Sequence, residues 1–244
     1  MKFKENILTY KENGFCFFSN TNIEKKIATC KKIFEKYYLK NLKYSKIKTK
    51  INLIKRFTGD PSIQSIFYDY DLQEFIKKLG IKHPIQTGPV VSHYTSKDKI
   101  SNSKGLPLHQ DFPSVSTSPV GCIVFFNINN FKTQKIHGLE VCPTKEKKIL
   151  PITLNSKGIA EISEKYLRNK KFIKLYPRNK LLIMSLFLPH RTLINHSASA
   201  QLWRLGLSTR FNDITCKIWK KNRYQSAYSN QVDRNLYKKT TLKI

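Results

Sequence analysis

The stretch WRLGLSTRFN, residues 203–212, alternates with a period of two along its whole length. In an extended chain successive side chains point to opposite faces. Trp203, Leu205, Leu207, Thr209 and Phe211 therefore share one face, and Arg204, Gly206, Ser208 and Arg210 share the other. The apolar face predicts a strand laid against a core. The second face fits one of two settings. It belongs to an edge strand with its arginines in solvent, or it lines a cavity that receives a carboxylate, for which a guanidinium offers a planar, permanently charged fork.

Upstream of this strand the texture stays β-rich. PIQTGPVVSHY (84–94), VGCIVFFNIN (120–129), GLEVCP (138–143) and KLLIMSLFL (180–188) are short apolar runs bounded by turn residues. The first eighty residues read differently. Residues 22–39 place Ile23, Ile27, Cys30, Phe34 and Tyr37 at helical spacing with lysines opposite, Asn22 as a candidate cap. GFCFF (14–18) before it reads as a Gly turn and a short strand, and residues 71–79 as a second amphipathic helix between Asp71 and Gly80. Residues 156–171 predict an insertion or short helix between strands, and the segment after 217 is polar, basic and aromatic without a clear assignment. Helices followed by a run of strands predict an α+β fold, a sheet sandwich or jelly roll with the N-terminal helices packed on one sheet. The expected organisation is one domain: helical support over 1–83, a β core over 84–213 and a basic extension over 214–244.

The chain has 244 residues, long enough for a sizeable core. Its N-terminus lacks the apolar stretch of a secretory signal, and its longest apolar run, 181–188, is too short to span a bilayer. The five cysteines (16, 30, 122, 142 and 216) are odd in number and scattered, with no CxxC, which predicts buried thiols in a reducing cytoplasm. Lys and Arg total 45 against 16 Asp and Glu, a formal charge of +29. Such a balance points to nucleic acid or another polyanion. However, 37 of the 45 are lysines, in a chain also rich in Asn and Ile, as a proteome-wide compositional drift would produce.

The chemistry concentrates in LPLHQDFPS, residues 106–114. His109 and Asp111 stand at i and i+2, so an imidazole and a carboxylate converge on one side of an extended chain and can share a metal ion. Two ligands hold a metal weakly, and a third is needed. His190, at the end of the apolar run, is the candidate; His196 is a rival, His93 and His137 are weaker ones, and His83 falls in a loop. Two imidazoles and one carboxylate form the facial set that leaves open positions on non-haem Fe(II).

Taken together, residues 84–213 resemble the phytanoyl-CoA dioxygenase-like family of Fe(II)- and 2-oxoglutarate-dependent oxygenases. GLPLHQDFP resembles that family's first-ligand motif, and HGLEVCPTKEKKILP its NG-x-L-x-x-x-PGSH turn, with Pro-Thr-Lys-Glu where Pro-Gly-Ser-His is usual. PHRTLINHS, with His190, Thr192, Asn195 and Ser197, resembles its second-ligand motif, and RLGLSTRF its terminal strand. YKENGFCFF followed by a helix fits the family's opening.

The resemblance implies a double-stranded β-helix, iron held by His109, Asp111 and His190, and the 2-oxoglutarate C5 carboxylate anchored by Arg204 with support from Thr192. The interval from His190 to Arg204 is longer than the family's usual one, which leaves Arg210 as the alternative anchor. The implied reaction is hydroxylation of a small molecule, with succinate and CO2 as co-products. Halogenating relatives carry a small residue where Asp111 stands. Oxidative demethylation of alkylated nucleic acid is the second reading, sharing the HxD motif, the distant His and the arginine pair. Gly206 and the absence of acidic residues after HQDFP count against it. A non-catalytic anion-binding jelly roll is the third. Segments 40–70 and 95–105 are expected to shape the pocket, with Lys97, Lys99 and Lys104 beside it.

Overall fold

Strand 203–212 lies inside a sheet, paired along both flanks. The computed structural model describes residues 2–41, 47–96, 105–112, 118–130, 137–154, 160–195 and 202–221. Ten strands occur among them: β1 (Phe15–Phe18), β2 (Pro84–Ser96), β3 (Gly121–Asn129), β4 (Gly138–Val141), β5 (Ile152–Leu154), β6 (Ala160–Ile162), β7 (Ile173–Leu175), β8 (Leu181–Ser185), β9 (His190–Leu193) and β10 (Trp203–Asp213). The large sheet has the order β1-β8-β3-β10-β2 and the smaller one β7-β4-β9, with every pairing antiparallel. β5 and β6 form a separate two-stranded ribbon. Buried along its whole length between β2 and β3, β10 is no edge strand.

The two faces of β10 meet two different layers. Trp203, Leu205, Leu207 and Phe211 join Val124 and Phe126 in a cluster with helical side chains, including Ile27, Phe34, Phe57, Phe67 and Phe75. Ring contacts of 5.1 Å between Phe34 and Trp203 and 5.6 Å between Phe67 and Phe126 fix that layer on the sheet. On the opposite side, Ile123, Phe125, Leu182 and Met184 of the large sheet meet Leu139, Val141 and Leu175 of the small one. The molecule is thus a mixed helix and antiparallel-sheet structure, with two sheets face to face and helices behind the larger one.

The helices are α1 (Lys2–Asn13), α2 (Thr21–Ile33), which continues as a π-helical turn (Phe34–Leu39), α3 (Ile47–Thr58), α4 (Pro61–Phe67), α5 (Tyr70–Lys78) and α6 (Lys217–Lys221). Two cap expectations are corrected. Asn20, not Asn22, caps α2 by accepting from the Ile23 amide at 2.8 Å, while Asn22 donates to Asp69 across to α5. Asp69, not Asp71, caps α5, and Asp71 accepts from Asn20. In each case two amide or carboxylate residues stand two apart, and tertiary contact decides which one turns back to the helix.

Segment 40–70 also departs from expectation. Its described part builds α3 and α4, whose Ile54, Phe57, Ile63, Ile66 and Phe67 are buried in the helical layer. That layer lies behind the large sheet, away from the face that carries the arginines. The described part of 156–171, expected as an insertion or short helix between strands, supplies β6 and then a short 3-10 helix, Glu164–Leu167, before β7. Lys97, Lys99, Lys104, His196 and the chain after residue 221 lie outside the described residues.

Candidate metal centre and carboxylate pocket

The site forms where the chain before β3 lies against β9. His109 and His190 exchange both backbone hydrogen bonds, each at 2.9 Å, as an isolated antiparallel bridge. Directly opposed residues in such a pair project to the same side. Two imidazoles 81 positions apart in sequence are thereby brought to a ring-centroid distance of 4.3 Å.

Each imidazole donates its Nδ1–H to a backbone carbonyl two residues earlier, His109 to Pro107 at 2.8 Å and His190 to Leu188 at 3.0 Å. A carbonyl only accepts, so Nδ1 carries the proton and the Nε2 lone pair is left for a metal. The two Nε2 atoms lie 3.3 Å (His109) and 3.8 Å (His190) from Asp111 Oδ1. One ligating atom from each of the three side chains falls within 4.8 Å of the others, and all three residues are buried. A first-row divalent ion with bonds of about 2 Å spans that space.

The residues around the HxD motif explain its shape. Gln110, between the two candidate ligands, faces away. Its amide donates to the carbonyls of Lys148 and Phe187 and accepts from the Leu150 amide, at 2.5–2.9 Å. Phe112 is held through its amide by the Leu186 carbonyl and through its ring by Phe187 at 4.8 Å. Gln110 and Phe112 therefore pin the chain on both sides of Asp111, and nothing in the local sequence announces the Gln110 contacts.

The two arginines of β10 behave differently. Arg210 donates from Nε (2.8 Å) and Nη2 (2.5 Å) to one oxygen, Asp111 Oδ2. Burial by itself would raise the Asp111 carboxyl, but the Arg210 guanidinium outweighs it and holds the group well below the usual carboxylate range. Arg204 is 1% exposed and donates from Nη1 to the Gly138 carbonyl on the facing sheet at 2.8 Å. Its Nε has no partner among the described residues, and no described carboxylate pairs with it. Burial pulls its pKa down to about 10, so it stays charged near neutrality. A buried cation without a counter-ion favours an anionic occupant beside it.

Thr192 lines the same cavity as the three candidate ligands and both arginines. Its Oγ1 accepts from the Leu106 amide at 3.0 Å, which leaves the hydroxyl proton available to donate. Ile123, Phe125, Leu139 and Met184 supply apolar walls. Two glycines are required by close approach. A Cβ at Gly206 would lie 2.9 Å from the Phe125 ring and 3.4 Å from Arg204 Nη2, and one at Gly138 would lie 2.4 Å from the Leu175 carbonyl. Of the rival histidines, His93 also lines the cavity, while His137 is buried where its Nδ1 accepts from the Asn195 amide.

No protein-family model matches the chain, and no curated protein matches it in sequence. Solved structures do match in fold. The epimerase SnoN from nogalamycin biosynthesis, in complex with Fe3+, alpha ketoglutarate and nogalamycin RO, superposes with a TM-score of 0.60 at 9% identity, covering 87% of this chain and 84% of SnoN. The alpha ketoglutarate-dependent carbocyclase SnoK gives 0.56 at 10% identity over 92% of both chains. AviO1 from Streptomyces viridochromogenes Tue57 gives 0.53 at 12% identity, over 87% and 96%. The chain has the fold of non-haem alpha ketoglutarate-dependent enzymes.

Proposed function

We propose that residues 1–244 act as a single-domain, non-haem Fe(II)- and 2-oxoglutarate-dependent dioxygenase of the phytanoyl-CoA dioxygenase type. It hydroxylates a small-molecule substrate and releases succinate and CO2. The observation that carries this reading is a buried His-Asp-His set opening onto the same cavity as a buried guanidinium that lacks an anionic partner among the described residues. SnoN, on the same fold, holds both Fe3+ and alpha ketoglutarate. The two facing antiparallel sheets support the jelly-roll assignment.

In this reading His109, Asp111 and His190 hold the iron through two Nε2 atoms and Oδ1. Arg204 anchors the far carboxylate of 2-oxoglutarate, with Thr192 donating to it. Arg210 is a positioning residue: by occupying Asp111 Oδ2 it turns Oδ1 toward the metal. Bound together, Fe(II) and 2-oxoglutarate supply an oxidant generated from dioxygen as the 2-oxo acid is decarboxylated. The protein's share is to orient the diacid between Arg204 and the ligand set and to keep water away with Phe125, Leu139 and Met184. SnoN is an epimerase and SnoK a carbocyclase, so the fold serves more than one outcome. The presence of Asp111 favours hydroxylation over halogenation.

The test is succinate formation from 2-oxoglutarate in air, with and without Fe(II). The wild-type chain is expected to produce succinate only with Fe(II), and Asp111→Ala to abolish it. Equal turnover by wild type and Asp111→Ala would remove the ligand set and this reading with it.

A further inference from the structure

Along the inward face of β10 the rungs carry Arg204, Gly206, Ser208 and Arg210 in turn. The rung at Gly206 has no side chain of its own, and its cross-strand partner on β2 is His93. His93 shares the cavity with the ligand set and with both arginines. It is outside the metal group: among the described residues, only His109, Asp111 and His190 bring ligating atoms within 4.8 Å of one another. Among the described residues the His93 ring has no hydrogen-bond partner. A polar ring turned toward a cavity without a protein partner is costly unless something in the cavity satisfies it. An imidazole carries at least one N–H to donate whether it is neutral or protonated.

A diacid held at one end by Arg204 and at the other by a metal near Asp111 passes the two rungs between them, at Gly206 and Ser208, and His93 stands across from the first. We propose that His93 is a cosubstrate-binding residue, its ring N–H donating to an oxygen of bound 2-oxoglutarate. This rests on the Fe(II)/2-oxoglutarate reading above.

The experiment is anaerobic titration of the Fe(II)-loaded full-length chain with 2-oxoglutarate, followed by the visible charge-transfer band of the complex. Fe(II) affinity is measured separately by competition with a chelator. In His93→Leu, 2-oxoglutarate is expected to bind ~10-fold more weakly with Fe(II) affinity unchanged. His93→Gln, which keeps an N–H donor, is expected to recover most of the loss. Binding in His93→Leu equal to wild type overturns the proposal, as does parallel loss of Fe(II) and 2-oxoglutarate in both variants, which marks a structural role. Should His93→Leu not fold, His93→Asn against His93→Val carries the same comparison. Failure of Fe(II)-loaded wild type to bind 2-oxoglutarate overturns the parent reading and this inference together.

Discussion

Asp111 has two oxygens with two separate partners. Oδ1 faces the imidazoles and Oδ2 is held by Arg210 through two hydrogen bonds. A ligand free to rotate binds a metal less well than one already turned toward it, and groups that orient ligands typically contribute about 10–100-fold in metal affinity. Arg210→Gln is expected to weaken Fe(II) binding by about that factor in a chelator competition. An unchanged affinity would mean that Arg210 does not orient the carboxylate. Histidine protonation gives a second expectation. Burial, and then neighbouring charges, lower His93 and His190 to about 4, against about 6.5 in an unfolded chain. Between those values the unfolded state binds more protons than the folded one, so stability is fully present above about pH 6.5 and is lost as pH falls toward 4. Thermal melts of the metal-free protein should fall steadily from pH 7 to pH 4.5, by at most about 1.4 kcal/mol per pH unit for each ring. A flat profile across that window would show that the rings are solvated.

At the scale of elements, β10 was the most readable part of the chain. Its period-two pattern sorts apolar residues toward the helices and polar ones toward the cavity, and both assignments hold in the structure. What the pattern left open was burial: an arginine face is compatible with solvent until the two neighbouring strands are seen. Gly206 leaves this face room for its neighbours, since Phe125 and Arg204 occupy the space over it. Gly206→Val is expected to displace the Arg204 guanidinium and weaken 2-oxoglutarate binding by about tenfold or more while Fe(II) still binds. Isothermal titration with each ligand separates the two effects, and unchanged 2-oxoglutarate affinity would contradict the crowding. Other elements were harder to read. β9 is four residues long, and β5, β6 and β7 are three each, too short for periodicity to identify. Segment 40–70 was expected to shape the pocket as a loop does, yet the apolar residues of its α3 and α4 are buried behind the large sheet. His109, Asp111 and His190 stood out through residue type and spacing. Gln110 did not, because its partners at Lys148, Leu150 and Phe187 are adjacent only in the fold.

For the whole molecule, the charge of +29 is the property most open to two readings. Phosphate contacts alone give a basic protein salt-sensitive affinity for nucleic acid, without making nucleic acid its substrate. Single-stranded DNA is expected to bind with an affinity that falls steeply between about 50 and 200 mM salt. Methylated oligonucleotide is expected to leave succinate release unchanged. Stimulated release, with formaldehyde, would instead favour the demethylase reading. Among the described residues no helix is long and apolar enough to cross a membrane.

The central place of β10 has a consequence for biosynthesis. Its two neighbours, β2 and β3, come from residues 84–96 and 121–129, roughly a hundred positions earlier. As the chain leaves the ribosome, the N-terminal helices and the first strands emerge with the middle of their sheet missing, and the apolar surfaces of β2 and β3 wait for a partner. Contacts this distant in sequence form late. The large sheet therefore cannot close, nor β2 find its place in it, until the chain has been synthesised through residue 213 and released from the exit tunnel.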